Sequence, residues 1–267
     1  MASRAQRSIL GAALLLAVLA VAAFVFAPAH ANNNSSAAAA PRNPVLVELF
    51  TSEGCSDCPP ADALLARLDQ EQFVPGAEAI VLSEHVTYWN HLGWSDPFSF
   101  DAIDQRQQTY AQHFSLDSVY TPQMVVDGAT EFVGSDSAKL TRAVARAAAT
   151  PKPALAIENV RRMPDGSVVF AVRAATRVEA TLVAALAENA TRSEVARGEN
   201  AGRTLHHVAV VRVLKDFGPG ADDGLALSLP AGFSRQEKNG EPLRLVVFLV
   251  APSSGHVVAV AEQTLPR

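Results

Sequence analysis

The chain has 267 residues, of which 49% are hydrophobic and 18% charged, and its formal net charge is −5. This composition excludes a wholly disordered chain, and the presence of one long apolar run rather than several excludes a polytopic membrane protein. The acidic balance gives no basis for nucleic-acid binding, which needs a basic face. The length accommodates one large domain or two ordinary ones.

The N-terminal segment has the pattern of an export signal. Two arginines precede an uncharged apolar run, 9–26, which is followed by Pro28 and by the Ala-His-Ala of 29–31. A small-x-small site after such a run is typical of signal-peptidase cleavage, so 1–31 is predicted to be a signal peptide and 32–42 a flexible linker. The mature protein is then periplasmic or secreted, free of the membrane and monomeric. The alternative is an uncleaved anchor, because the run is just long enough to span a bilayer.

Strands and helices alternate between residues 43 and 150. Apolar runs there predict buried strands, and apolar residues recurring at helical spacing predict helices. This order is typical of an α/β domain. In chain order the predicted elements are a strand at 45–50, a helix at 61–70, a strand at 79–83, a helix at 101–114, a strand at 123–126 and a last helix capped by Ser135 or Asp136.

The pattern changes after Pro151 and Pro153, where short strands are separated by turns. Such a series indicates a β-sandwich-like domain over 154–267. The alanine-rich stretch 178–190 fits a helix as well as a strand. The predicted strands are 154–161, 167–174, 178–188, 205–214, 224–229, 243–250 and 256–264.

The two cysteines of the chain form a C-x-x-C motif, Cys55 to Cys58, between a predicted strand and a predicted helix. A zinc knuckle would need two further ligands, and the chain has no second cysteine pair. A purely structural disulfide across so short a ring would contribute only about 2 kcal/mol. Redox chemistry is therefore favoured, while an inert disulfide and metal binding stay open.

The cysteine pair lies in one of several stretches that together resemble a known family. The stretches are ELFTSEGCSDCPPAD, HVTYWNHLGWSDPF, VYTPQMVVDG and ENAGRTLHHVAVVRVL. They resemble an uncharacterised family of secreted bacterial proteins, a domain of unknown function with a thioredoxin-like N-terminal part, and the likeness covers roughly residues 43 to 265. The resemblance implies a thioredoxin-like domain over 43–150.

The resemblance also implies roles for individual residues. Cys55 would be the exposed attacking thiol and Cys58 the resolving thiol. Pro122 would be a cis-proline facing the pair, and Thr121 would offer its backbone to an incoming peptide.

The leading hypothesis is therefore an exported thiol–disulfide oxidoreductase or thiol-dependent reductase. Its partner would be an exported protein or a small-molecule disulfide or thiol, with an electron donor that the sequence does not identify, and no cofactor is predicted. One alternative is a non-catalytic binding or scaffold protein with a fixed local disulfide. Another is a copper or zinc carrier that uses Cys55, Cys58 and His85.

Charges near the motif predict a weakly oxidising disulfide. Ordinary thioredoxins have Gly-Pro between their cysteines, whereas this chain has Ser56-Asp57, and Glu53 adds a second acid. Negative charge disfavours a thiolate, and Pro59-Pro60 are expected to delay the helix until near Pro60. The expected reduction potential is roughly −230 to −290 mV.

A group of accessory candidates follows the second strand. The two tryptophans, Trp89 and Trp94, lie there with Tyr88 and His85. They form either a substrate-facing wall beside the cysteines or an aromatic plug that packs a helix onto the sheet. His85 is either a proton carrier or metal ligand, or a hydrogen-bonded structural residue.

Two further pairs of polar residues are predicted to have no chemical role. Arg106 and Gln107 lie on a mostly polar helix and are expected at the surface. His206 and His207 are neighbours in a strand pattern, where side chains alternate between faces, so they cannot share a metal and are expected to be structural or exposed.

Overall fold

The computed structural model describes residues 42–176, 179–229 and 242–265, so the predicted signal peptide and nearly all of the predicted linker lie outside the described residues. Within these ranges the chain forms three α-helices and eleven β-strands. No helix in this described part is long and apolar enough to cross a membrane.

The three helices follow the sequence pattern closely. Helix α1 is Pro59–Glu71, α2 is Asp101–His113 and α3 is Ser137–Ala148. Helix α1 begins one residue before the expected Pro60, because a proline in the first helical position loses no hydrogen bond there. Asp136 caps α3, its side chain accepting a hydrogen bond of 2.9 Å from the backbone N–H of Lys139.

The strands account for every strand predicted from the sequence. In the first half they are β1 Asn43–Thr51, β2 Ala77–His85, β3 Gln123–Val126 and β4 Thr130–Val133. In the second half they are β5 Leu155–Arg162, β6 Val168–Ala174, β7 Thr181–Glu194, β8 Thr204–Pro219, β9 Leu225–Leu227, β10 Leu243–Val250 and β11 Val257–Thr264.

One large mixed sheet combines strands from both halves of the chain. Its eight strands run in the order β11-β10-β7-β8-β2-β1-β3-β4, and β5-β6-β9 form a second sheet of three strands. Strands β1 and β2 are parallel, β3 is antiparallel to β1, and the halves join where β2 pairs with β8 at Ser83 and Val210. The fold is therefore mixed α/β, mostly β, with few helices.

Strand β7 explains why the alanine-rich stretch was ambiguous. The structure forms a strand there, so the helical alternative is wrong. Val183 and Ala185 lie in the core beneath the large sheet, whereas Leu182 and Leu186 lie in a second core that also includes the three-stranded sheet. Because a strand buried on both faces needs apolar residues at successive positions, its sequence loses the alternation that distinguishes a strand from a helix.

Candidate functional site

The cysteine pair forms a disulfide in the loop between β1 and α1. The Cα atoms of Cys55 and Cys58 are 5.5 Å apart, and the backbone N–H of Cys58 donates to the carbonyl of Cys55 at 3.3 Å. Cys58 is also the residue that precedes the first turn of α1. Cys58 is 0% exposed and Cys55 only 1%, so the expectation of an exposed Cys55 is wrong.

Residues 195–203, between β7 and β8, cover the cysteine loop, and we call them the covering loop. The buried side-chain amide of Asn200 donates hydrogen bonds of 2.9 Å to the carbonyl oxygens of both Glu53 and Cys55. Glu199 accepts a bond of 3.0 Å from the backbone N–H of Ser56, and hydrogen bonding to the Ser56 side chain and backbone lowers the pKa of the Glu199 carboxyl. The second half of the chain is thus hydrogen-bonded directly to the loop that carries Cys55.

The two tryptophans pack against this region from the segment that follows β2. Trp89 approaches Gly54 so closely that a Cβ atom there would lie 3.1 Å from the Trp89 Cβ. Trp94 approaches Gly198 of the covering loop, which has φ +76° and would place a Cβ 3.2 Å from the Trp94 Cβ. Both tryptophans are half-buried. They pack against the cysteine and covering loops while keeping part of their surface exposed, so both the wall and the plug interpretations stand.

The predicted cis-proline lies on the other side of Trp89. The peptide bond between Thr121 and Pro122 is cis, as the resemblance implies. The indole N–H of Trp89 donates to the Thr121 hydroxyl at 2.7 Å. Trp89 thereby links Gly54, which precedes Cys55, to Thr121, which precedes Pro122.

A cluster of buried polar side chains lies around the cysteine loop, and we call it the buried polar cluster. One part of it centres on His85, whose Nδ1 lies 2.7 Å from an Asp96 oxygen and whose Nε2 lies 3.3 Å from the Ser83 hydroxyl. Asp96 also accepts a bond of 2.8 Å from the backbone N–H of Glu53. Its members are Thr51, Glu53, Asp62, Ser83, His85, Asp96 and His207.

Asp96 is held in its charged form. Burial acts to raise the pKa of its carboxyl, but the neighbouring His85 and two backbone N–H groups outweigh burial and lower the pKa below its usual value. Both ring nitrogens of His85 are engaged by protein groups. The sequence motif placed His85 beside the cysteines but gave no indication of its partners.

His207 occupies the other part of the buried polar cluster. Its Nε2 lies 3.4 Å from a Glu53 oxygen and its Nδ1 lies 3.7 Å from an Asp62 oxygen. Burial acts to lower the pKa of His207, but the two carboxylates outweigh it and raise the pKa to about 10. His207 is therefore an imidazolium at neutral pH. Strand alternation correctly predicted that His206 and His207 face opposite ways, and His206 is exposed.

Three further polar side chains from the sequence predictions, Asp57, Tyr88 and Gln107, differ in their exposure to solvent. Asp57 is exposed between the cysteines. The Tyr88 hydroxyl donates to Gln107 at 3.2 Å, and burial raises the pKa of Tyr88 to about 12. Gln107 itself is fully buried and donates to the Tyr120 carbonyl at 2.8 Å, so the prediction of a surface position is wrong.

Arg106 was also predicted at the surface and is mostly buried. Its Nε donates to Glu48 at 2.5 Å, and its side chain is 13% exposed. Glu84 lies 3.7 Å from the same nitrogen, and burial together with the charge of Glu48 raises the pKa of Glu84 well above its usual value. The polar sequence of α2 predicts a solvent-exposed helix face, whereas Arg106 faces a second group of buried charged side chains, Glu48 and Glu84.

No group of three or more histidine, cysteine or acidic side chains in 42–176, 179–229 and 242–265 is arranged to hold a metal ion. The copper or zinc carrier that would use Cys55, Cys58 and His85 stays a prediction.

Comparison with known proteins places the chain in a family. Residues 46–250 match the family model described as a protein of unknown function (DUF1223). The chain belongs to this family. No curated protein matches it.

Two solved structures share the fold. A structural-genomics crystal structure of protein AGR_C_4864 from Agrobacterium tumefaciens has a TM-score of 0.60 at 23% identity, covering 84% of this chain and 97% of that one. HBP35 of Porphyromonas gingivalis has a TM-score of 0.52 at 13% identity, covering 84% of this chain and 76% of that one. At these identities the likeness concerns the fold alone.

Proposed function

We propose that this protein is an exported thiol–disulfide oxidoreductase or thiol-dependent reductase that uses Cys55 and Cys58. The observation that carries the proposal is the disulfide between its two cysteines at the junction of a strand and a helix, with buried titratable groups around it. Cysteines that exchange with partners occur at such junctions, where the helix terminus and neighbouring charges control the thiolate.

The reaction balances as two exchange steps. In the reduced protein the Cys55 thiolate attacks one sulfur of a substrate disulfide, so the substrate bond breaks, a mixed disulfide forms and one substrate thiolate leaves and takes a proton. The Cys58 thiolate then attacks the Cys55 sulfur, which releases the second substrate thiolate and regenerates the Cys55–Cys58 disulfide. The substrate gains two electrons, and an exported thiol donor returns two electrons to the protein.

We further propose that residues 43–150 are thioredoxin-like. The support is the strand order β2-β1-β3-β4, with β1 and β2 parallel and β3 and β4 antiparallel to their neighbours, and a helix directly after the cysteine motif. A sandwich-like character of the second half is supported by the core shared between the three-stranded sheet and strands β7 and β10.

Export is part of the same proposal. The apolar run of 9–26 and the Ala-His-Ala of 29–31 support a signal peptide and a periplasmic or secreted monomer. An oxidising compartment of that kind is where a disulfide persists between turnovers.

The burial of both cysteines favours a second candidate, a binding or scaffold protein with a fixed disulfide. A buried pair exchanges thiols only if the residues packed around it move. Structural disulfides of this kind resist reduction by glutathione, with potentials below about −300 mV.

Trapping with single-cysteine variants tests the proposal. In Cys58→Ser, the remaining Cys55 should form a stable mixed disulfide with a disulfide-bonded peptide, because nothing resolves it. The matched control Cys55→Ser retains only the proposed resolving thiol and should accumulate far less. Absence of the adduct in both variants, each folded by circular dichroism, would favour the fixed disulfide.

A further inference from the structure

We propose that His207 is a positioning residue for the Cys55–Cys58 redox pair, which neutralises Glu53 and Asp62 and so stabilises the reduced, thiolate-bearing form. This inference rests on the proposed function and extends it to a residue of the second half of the chain. It acts through charge, since the histidine lies against the two carboxylates.

The two acids that contact His207 lie beside the cysteines in sequence and in the backbone hydrogen bonds. Glu53 lies two residues before Cys55, and the backbone N–H of Asp62 donates to the carbonyl of Cys58 at 3.1 Å. Both carboxylates are buried. Uncompensated negative charge at these positions would disfavour a thiolate on either cysteine, because like charges interact strongly where water is excluded.

The His207 ring reaches both acids. Nε2 of His207 faces Glu53 and Nδ1 faces Asp62, at 3.4 and 3.7 Å. In the described part of the chain, His207 is the basic side chain within ion-pair distance of both carboxylates. The imidazolium therefore offsets half of the charge that the two acids place beside the disulfide.

The other charged groups around His207 are already paired with each other or lie farther away. The His85 ring is 4.7 Å from the His207 ring, centroid to centroid, and its Nδ1 is engaged by Asp96. The Phe98 ring lies 6.0 Å from His207, with the Arg212 guanidinium over that ring at 5.1 Å. Among the buried charged groups, Glu53, Asp62 and His207 therefore form one set beside the cysteine loop.

The contacts of His207 differ from those of His85. Both ring nitrogens of His85 have close polar partners, as expected of a histidine that only holds structure. The ring nitrogens of His207 and one Glu53 oxygen lie at ion-pair distance without hydrogen-bond geometry. An electrostatic role requires charge and proximity, and those are what this contact provides.

Glutathione equilibration of matched variants tests the inference. We expect His207→Gln to shift the equilibrium toward the disulfide by about tenfold, which is about 30 mV more reducing. The pH dependence of Cys55 alkylation should move to higher pH in the same variant. The control His206→Gln changes the exposed neighbour on the opposite face of β8 and should leave both quantities unchanged.

Glu53→Gln provides the reciprocal test. In the wild type, the indole N–H of Trp94 donates a hydrogen bond of 2.8 Å to a Glu53 carboxylate oxygen. The substitution removes the negative charge but keeps a side-chain oxygen that can accept this bond. We expect it to shift the equilibrium toward the dithiol, and the double variant with His207→Gln to return close to wild type. A purely structural histidine would not produce this compensation.

Different experimental results would overturn the His207 inference and the proposed redox function. A wild-type disulfide that no glutathione or dithiothreitol poise reduces reversibly would overturn both. The inference alone would be overturned if the wild-type disulfide equilibrates with glutathione but the folded His207→Gln variant does not become more reducing. That result is an equilibrium constant equal to the wild-type value, or one shifted toward a more oxidising disulfide. If His207→Gln does not fold, Glu53→Gln decides, and an unchanged constant there overturns the inference.

Discussion

The side-chain amide of Asn200 donates a hydrogen bond of 2.9 Å to the carbonyl oxygen of Cys55, although 145 residues separate the two in sequence. The same amide holds the carbonyl of Glu53. This one buried side chain therefore connects the covering loop of the second half to the cysteine loop of the first. We expect access to the disulfide to depend on it.

Removing this fastening should accelerate reduction of the disulfide. Asn200→Ala leaves two carbonyls without their amide partner, which weakens closure by about 1.4 kcal/mol and raises the rate of reduction by dithiothreitol about tenfold. The control Glu199→Gln removes a charge at the exposed edge of the same loop and should change the rate much less. Equal rates in wild type and Asn200→Ala, measured by thiol alkylation, would contradict the covering role.

The charge of His207 predicts how stability depends on pH. The folded-state pKa of about 10 lies above the unfolded value of about 6.5, so its contribution is complete below pH 6.5 and is lost as pH rises through 10. The free energy of unfolding should therefore fall between pH 7 and 10, and fall less in His207→Gln. Urea denaturation of the oxidised protein at several pH values measures this. If His206→Gln reduced the pH dependence of the free energy of unfolding as much as His207→Gln does, the role assigned to His207 would be contradicted.

Glu84 should make the folded protein less stable as pH rises. Its pKa is raised in the folded state, so its contribution is present at low pH and is lost as pH increases toward the folded-state pKa. Glu84→Gln resembles the protonated acid, so we expect it to be more stable than wild type by about 1 kcal/mol at pH 8, and nearly equal to wild type at pH 5. The control Glu78→Gln lies exposed on the same strand and should show no such trend. A variant less stable than wild type at pH 8 would contradict the assignment.

The exposed acid between the cysteines should act on the redox couple in the same direction as Glu53. Asp57→Asn should raise the reduction potential by roughly 10 to 30 mV, because removing a negative charge favours the thiolate. Asp57→Glu keeps the charge and should leave the potential unchanged. A shift of Asp57→Asn toward more reducing values would refute the argument.

Local features of the fold were predictable from sequence. The strands at 123–126 and 243–250 lie where the apolar pattern placed them, because a short, continuous apolar run next to a turn is itself the signal of a buried strand. Helix α3 was predictable from its cap for the same reason. These signals are contained within a few residues of chain.

Contacts between distant residues were not predictable in this way. Nothing in the sequence around Ser83 shows that β2 pairs with β8, and this pairing is what brings the second half onto the cysteine loop. Alternation assigned His206 and His207 to opposite faces but not which face is buried. Arg106 and Gln107 were placed at the surface because a polar helix ordinarily faces water, whereas here a buried acid, Glu48, lies opposite.

The reduction potential of the wild-type disulfide tests the central claim most directly. The oxidised protein is equilibrated in glutathione and dithiothreitol buffers of graded poise, and the thiol fraction is read by alkylation. We expect reversible exchange with a midpoint of roughly −230 to −290 mV, which is the range of reducing, exchange-competent pairs. A pair that stays oxidised at a poise below about −300 mV would be a fixed structural disulfide and would contradict the proposed function.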